Sequence, residues 1–165
     1  MWRRSGSLMT GKRTDITGCW TLKSCYIEVV DTGERLYPYG ENPVGTLIIH
    51  ESGRMVAVFT PSARMIPTTE TDKAKAFEQL VAYSGRYRLE GARFVTDVDV
   101  SWLPQWVGTA QGRKFALHDD LLDIISDPAP SPFFDGVLVQ GKLTWAREAG
   151  QPDAPTNRQV ATTAR

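Results

Sequence analysis

Three tyrosines in apolar segments carry hydroxyl groups that could take part in catalysis. Tyr26, Tyr83 and Tyr87 each stand among residues typical of buried β-strands. In a site without water, a phenol can donate a hydrogen bond to a carbonyl oxygen that gains negative charge during a reaction. The alternative is that these hydroxyls only satisfy neighbouring backbone groups. The three tyrosines are therefore candidate catalytic residues with no reaction assigned.

Two carboxylates form a second candidate pair. Asp97 and Asp99 are two residues apart in one predicted strand, so their side chains share a face at a separation of about 6–7 Å. Pairs of this kind act as general acid and base in glycosidases. Because they alternate with Val98 and Val100, we expect both carboxylates on the face opposite the apolar one. Arg86 would then lie diagonally across from Asp97 and form an ion pair with it.

The chain has two histidines and two cysteines, and their positions favour neither a metal site nor a disulfide. His50 and His118 end predicted strands beside acidic residues, which would orient their rings for a catalytic role, but strand-end histidines are more often surface residues. Cys19 and Cys25 would lie about 20 Å apart in one strand, too far for a disulfide. Free thiols are typical of a reducing compartment. With no phosphate-binding loop and no Gly-x-Ser-x-Gly motif, we expect no metal and no cofactor.

The segments that carry these residues predict an all-β fold. One segment, 72–81, has helical periodicity, with Asp72 as its predicted N-cap. The other regular segments are rich in β-branched and aromatic residues and are separated by turn signals. They are residues 18–30, 44–50, 53–60, 82–89, 92–102, 112–118, 121–126 and 136–147. About eight antiparallel strands and one short helix predict an up-and-down β-barrel or a sandwich.

A hairpin centred on Glu90-Gly91 indicates how two of these strands pair. A two-residue loop there places Leu89 opposite Ala92, Tyr87 opposite Phe94 and Gly85 opposite Thr96. One face of the pair is then apolar and the other charged. A sheet with one apolar face can bury that face by closing into a barrel. Gly85 would either leave room for a ligand or mark a bend.

The apolar face of such a barrel predicts a ligand-binding wall. The inward set also includes Trp20, Leu22 and Trp145, and the alternative is that all these residues are simply core. The residues predicted to bind ligand are Tyr26, Met55, Phe59, Tyr83, Tyr87, Phe94, Val98, Val100 and Trp102. Four aromatic or Pro-rich loops would either form a rim or plug the barrel ends. They are residues 37–40, 61–71, 101–106 and 127–136.

Length and composition are those of one soluble domain. The chain has 165 residues, 41% of them hydrophobic and 23% charged, with 19 basic and 19 acidic side chains. Zero net charge argues against a nucleic-acid partner, and no apolar run reaches the roughly 20 residues of a membrane span. We expect a flexible N-terminal extension (1–14), a barrel (15–147) and a disordered tail (148–165). The basic N-terminus lacks the apolar core of a secretory signal, which predicts a cytoplasmic protein.

Several motifs resemble one family. Gly18-Cys19-Trp20 is similar to the Gly-x-Trp signature of lipocalins and their calycin relatives, and Arg147 stands where that superfamily packs an Arg over the same Trp. The wider pattern, including Tyr37-Pro38-Tyr39-Gly40 and Trp106-Val107-Gly108-Thr109, resembles the small bacterial and fungal lipocalin-like domain proteins over about residues 15–147. The resemblance implies a calycin barrel around an apolar cavity, structural roles for Trp20 and Arg147, and a link to biosynthetic pathways. Relatives often have a His where this chain has Thr96-Asp97, so a mechanism that uses that His does not transfer.

Three functions are consistent with this sequence. The first is an intracellular barrel that binds a small hydrophobic molecule, linked to a secondary-metabolite pathway. The second is a cofactor-free cyclase or isomerase that holds a polyketide-like substrate in the same cavity. The third is a protein-interaction domain with a filled barrel. The expected partner is a small hydrophobic ligand or substrate rather than nucleic acid or a membrane, and a homodimer is left open.

Overall fold

The computed structural model describes residues 15–131 and 135–150. The predicted extension (1–14), residues 151–165 of the predicted tail and Phe133-Phe134 of one predicted rim loop lie outside the described residues. Within the described part, the chain forms one α-helix, α1 (Glu70–Glu78), a short 3-10 helix (Pro104–Trp106) and ten strands. The strands are β1 (Gly18–Val29), β2 (Arg35–Leu36), β3 (Val44–His50), β4 (Arg54–Thr60), β5 (Val81–Glu90), β6 (Arg93–Ser101), β7 (Ala110–His118), β8 (Leu121–Ile125), β9 (Ala129–Pro130) and β10 (Leu138–Arg147).

The eight long strands close into an antiparallel barrel, which confirms the predicted fold class. Strand β1 pairs with β3, strands β3 to β8 pair in chain order, β8 pairs with β10, and β10 pairs with β1 to complete the circle. The two-residue strands β2 and β9 add to β1 and β10. Closure satisfies the backbone groups that an open sheet edge would leave unpaired. No helix in the described segments is long and apolar enough to cross a membrane.

The hairpin between β5 and β6 differs from the predicted register by two residues. Glu90 pairs with Arg93 and Leu89 with Phe94, so the loop is Gly91-Ala92 rather than Glu90-Gly91. Gly91 has φ +60°, which suits a tight hairpin with glycine at its first loop position. Because side chains alternate with a period of two, a two-residue shift by itself moves no residue to the other face. Tyr87 and Phe94 therefore still share a face, and their rings stack 5.2 Å apart.

Two β-bulges reverse the alternation where the sequence predicts none, and each turns one residue of the predicted ligand-binding set to the outer face of the barrel. In β1 the register against β10 shifts between Leu22 and Ser24, so Tyr26 faces outward. In β6 the register shifts between the partners of Ser84 and Gly85, so Val100 lies on the outer face and is 63% exposed. An extra residue in one strand turns all later side chains to the other face.

The end of the barrel where β1 begins and β10 ends is plugged by tightly packed side chains. Trp20 is completely buried, and its indole N–H donates to the Ile16 carbonyl at 3.0 Å. The Arg147 guanidinium lies over the Trp20 ring at 4.2 Å and donates to the carbonyls of Thr17 (2.6 Å) and Asp15 (2.7 Å). The N-terminal segment is thereby fixed across this end.

Helix α1 begins and ends earlier than the sequence predicts. Thr69 is the N-cap and accepts from the Asp72 backbone, while the Asp72 carboxylate accepts from the Thr69 backbone in a capping box. Asp72 is thus the third helical residue rather than the cap. Val81, predicted in the last turn, instead begins β5. No residue of α1 is buried, so the helix rests on the barrel rather than inside it.

The connections at the two ends of the barrel differ in length. Opposite the plugged end lie four long connections, and we call this the loop-bearing end. The long connections are residues 30–43, 61–80, 102–109 and 126–137, whereas the hairpins at the plugged end have loops 51–53, 91–92 and 119–120. All four predicted rim loops therefore belong to one end, because alternate connections of an up-and-down barrel share an end.

Candidate functional site

The barrel encloses a cavity of about 440 Å³. This volume lies within the roughly 300–1,000 Å³ of small-molecule sites. Phe77 and Glu78 of α1 and Leu103 of the β6–β7 connection line it, which places the cavity toward the loop-bearing end. The barrel is thus not filled, contrary to what the interaction-domain hypothesis requires.

The wall of the cavity is mainly apolar. Its aromatic members are Tyr39, Phe59, Phe77, Tyr83, Phe94, Trp102, Trp106 and Trp145. Its aliphatic members include Leu47, Met55, Ala57, Val81, Ile124 and Leu143. Trp106 meets Tyr83 edge-on at 5.4 Å and Trp102 edge-on at 5.0 Å, so the β6–β7 connection packs against the barrel wall instead of projecting into solvent. An apolar molecule could fill this space without desolvating many polar groups.

Five of the nine predicted ligand residues line the cavity, namely Met55, Phe59, Tyr83, Phe94 and Trp102. Tyr87 and Val98 are at least half-buried but are not part of the wall. Tyr26 and Val100 lie on the outer face, where Tyr26 contacts the Tyr37 ring at 6.1 Å and the Arg35 guanidinium at 4.5 Å. The structural candidates Trp20 and Arg147 stack on each other at the plugged end.

The predicted acid–base pair lies outside the barrel and is occupied by arginines. Asp97 accepts from Arg88 at 2.6 Å; the expected partner, Arg86, lies directly opposite Asp97 because of the register difference. Asp99 accepts from Arg54 at 2.5 Å and from Ser84 at 3.1 Å. The Arg54 hydrogen bond lowers the pKa of Asp99. Both carboxylates are exposed and ion-paired, and the pocket that they line with Arg86 and residues 108–110 lies on the outer face of the barrel, so they do not form an acid–base pair for a ligand in the central cavity.

Both histidines are also away from the cavity. His50 ends β3 and its Nδ1 lies 2.9 Å from the Ser52 hydroxyl within the β3–β4 hairpin. His118 ends β7 and is exposed at the plugged end. The structure therefore brings Tyr83, but neither histidine, to the cavity wall.

Sequence reasoning missed a polar group inside the cavity, built on β7. Gln111 pairs with Thr96 and Arg113 pairs with Phe94, so both β7 side chains face inward. The Arg113 guanidinium donates to Gln111 Oε1 at 3.2 Å and to the Gly112 carbonyl at 2.8 Å. Gln111 donates in turn to the Thr109 hydroxyl at 2.9 Å. These bonds fix the guanidinium in a half-buried position within the apolar wall.

Arg113 has no carboxylate partner among residues 15–131 and 135–150. Asp127 accepts its two hydrogen bonds from Arg93, at 2.7 and 3.0 Å. These bonds lower the pKa of Asp127, and Arg113 lies close enough for its charge to help lower it. Arg113 itself uses two of the five N–H donors of a guanidinium. Since a guanidinium does not lose its proton in proteins, the cavity contains a positive charge with donors to spare.

The thiol and phenol groups of the wall stay protonated at neutral pH. Burial raises the pKa of the Cys25 thiol to about 12, and burial together with Cys25 raises that of Tyr39 to about 12. Burial also raises the pKa of Tyr83, an effect opposed by the positive charge of Arg113. Cys25 is therefore a poor nucleophile. It and the exposed Cys19 are both free thiols, as their spacing predicts.

A comparison with family models decides what this barrel is related to. The model of a lipocalin-like domain matches residues 17–148, most of the chain. The chain belongs to the lipocalin-like domain family. This confirms the resemblance carried by Gly18, Trp20 and Arg147, over nearly the predicted range. The lipocalin-like fold fits the binding of a small hydrophobic ligand. A search of curated proteins gives no match.

Proposed function

We propose that this lipocalin-like barrel binds a small hydrophobic molecule in its central cavity. The observation that carries the proposal is the apolar cavity of about 440 Å³ at the loop-bearing end. Burial of apolar ligand surface contributes roughly 25 cal/mol per Å², which supplies the driving force without any covalent chemistry. The rigid, closed sheet keeps the wall preformed, so little ordering opposes binding.

Titration with N-phenyl-1-naphthylamine, a neutral dye that fluoresces in apolar surroundings, tests this proposal. We expect saturable binding with one dye per chain. Ala57→Phe, which adds a ring to the inner wall of β4, should weaken binding at least tenfold. Val58→Phe is the matched control, because the neighbouring residue is 41% exposed on the outer face and should bind dye like the wild type. Circular dichroism checks that both variants fold.

Two results would overturn the proposal. Dye fluorescence that rises without saturation would show only non-specific adsorption. Equal affinity in wild type and in Ala57→Phe would place the dye outside the cavity.

Cyclisation or isomerisation of a bound substrate is the second candidate. It is favoured by Tyr83 and Arg113, two hydrogen-bond donors on an otherwise apolar wall. Such donors would stabilise an oxygen that gains negative charge as a substrate enolises, and the wall would hold the substrate in one fold. Incubation of the protein with a flexible polyketone separates turnover from binding. Liquid chromatography with mass spectrometry would detect a product that has the mass of the substrate but a different retention time. Saturable binding with no product would leave the binding function alone.

The link to a biosynthetic pathway and the cytoplasmic location stay predictions. The pathway link comes from the family resemblance and the location from the sequence of the N-terminus. Synthase genes beside the gene of this protein would support the first, and cell fractionation tests the second.

A further inference from the structure

We infer that the cavity takes an acidic amphipathic ligand, whose carboxylate pairs with Arg113 while its apolar body lies along the aromatic wall. This inference rests on the proposed binding function and specifies its ligand class. It starts from a mismatch within the cavity, since Arg113 is a permanent cation and the described side chains supply no counter-ion within ion-pair distance.

A second group of the wall reinforces this mismatch, because an indole N–H can donate a hydrogen bond but cannot accept one. The buried Trp145 indole N–H has no hydrogen-bond partner in the described part of the chain. The one carboxylate of the wall, Glu78, is exposed on α1 at the loop-bearing end and forms no ion pair with Arg113. A ligand that brings acceptor oxygens would satisfy groups that the protein leaves without acceptors.

The geometry at Arg113 favours a carboxylate over a neutral acceptor. Its guanidinium is held by Gln111 and by the Gly112 carbonyl, and these two bonds leave the other N–H donors for a ligand. A guanidinium binds a carboxylate through two parallel N–H···O bonds. In a wall of low polarity such a charged pair is stronger than the same pair in water. Gln111 is in turn held by Thr109, so the donor is positioned before the ligand arrives.

Displacement of N-phenyl-1-naphthylamine by two matched competitors tests the inference. Decanoate and decan-1-ol share a chain and differ in the head group, so their ratio of affinities measures the preference for a charge. In the wild type we expect decanoate to bind at least tenfold more tightly. Arg113→Gln should remove this preference by weakening decanoate tenfold or more, with less than a threefold change for decanol.

Lys114→Gln is the matched control. It removes one positive charge from the next residue of β7, which is exposed on the outer face. We expect both competitors to bind this variant as they bind the wild type, since a general effect of net charge is small at physiological salt. Arg113→Lys keeps the charge and loses the planar fork, so its preference for decanoate should be intermediate.

The outcomes separate this inference from the binding function. The absence of saturable dye binding by the wild type would contradict both the binding function and the acidic ligand. Dye binding with equal displacement by decanoate and decanol, or tighter binding of decanol, would overturn the acidic ligand and leave the hydrophobic cavity intact. That comparison uses the wild type alone, so it holds even if Arg113→Gln fails to fold. A decanoate preference that survives in a folded Arg113→Gln would also overturn the role of Arg113.

Discussion

At the scale of single residues, the same contact has different consequences at two places in the barrel. Arg147 and Arg35 both lie over aromatic rings, at 4.2 Å from Trp20 and 4.5 Å from Tyr26. The Arg147 side chain is only 8% exposed and also binds two backbone carbonyls, whereas the Arg35 side chain is 53% exposed. Cation–π contacts and charged hydrogen bonds contribute more when they are removed from water. Arg147 should therefore fix the plugged end, and Arg35 should contribute little.

Substitution of each arginine by glutamine measures this difference. Arg147→Gln should lower the free energy of unfolding by about 2–4 kcal/mol, because it removes the cation and leaves two carbonyls without their charged donor. Arg35→Gln should leave the urea midpoint close to that of the wild type. Tryptophan fluorescence during urea denaturation reports both. Similar shifts for the two variants would contradict the structural role of Arg147.

The buried thiol of Cys25 makes a residue-scale prediction about pH. Burial raises its pKa from 9.0 to about 12, so above pH 9 the unfolded chain loses a proton that the folded chain retains. The stability contributed by the protonated thiol is fully present below about pH 9 and is lost as the pH rises toward 12. Urea midpoints at pH 7, 9 and 10.5 should therefore fall more steeply in the wild type than in Cys25→Ala. Parallel curves would mean that the thiol is not buried as described.

At the scale of elements, the bulges decide which residues face the cavity. Period-two alternation correctly predicts the faces of Phe59 and Phe94, and alternation from Phe115 to Arg113 in β7 would also have placed the half-buried arginine on the inner face. It fails at Tyr26 and Val100, because a single extra residue in β1 or β6 changes the face without a signal in the hydrophobic pattern. Strand positions and the fold class were thus predictable, whereas bulge positions depend on long-range pairing that a local pattern does not contain.

Gly85 shows how the bulge in β6 is accommodated. Of the two alternatives open for this glycine, the structure supports the bend, since a Cβ atom there would lie 2.1 Å from the Asp97 carbonyl oxygen and 2.8 Å from Thr96 Cγ2. The space is occupied by the neighbouring backbone, and Gly85 is not part of the cavity wall.

Alanine at this position should therefore destabilise the barrel. We expect Gly85→Ala to lower the free energy of unfolding by about 1–3 kcal/mol, because the backbone of β6 must move to admit a methyl group. Gly141→Ala is the matched control, a strand glycine whose added Cβ would meet nothing closer than Ser126 Oγ at 3.5 Å. Chemical denaturation of both variants measures the difference. A Gly85→Ala midpoint equal to that of Gly141→Ala would contradict the close approach at the bulge.

At the scale of the whole molecule, the two ends of the barrel differ: one is tightly packed, and we expect ligand to enter at the other. The plugged end has short hairpins and Trp20 stacked on Arg147, while the loop-bearing end has the long connections, an α1 without buried residues and the polar groups beside the cavity. Regions with few buried contacts open locally at low free energy, and binding loops are drawn from such regions. Ligand should therefore enter between α1 and the β6–β7 connection.

Hydrogen exchange with and without saturating N-phenyl-1-naphthylamine tests whether the ligand enters at the loop-bearing end. A ligand that contacts the folded cavity wall stabilises it against local opening, so it should slow the exchange of amides in residues 70–78 and 102–109, which line the cavity through Phe77, Leu103 and Trp106. The hairpin loops at residues 51–53 and 119–120 contact no part of the cavity and serve as internal controls, with unchanged exchange expected. Mass spectrometry of peptides resolves these segments. Protection that grows first in the hairpins would place the entrance at the end where Arg147 covers Trp20, and the proposed path would then be wrong.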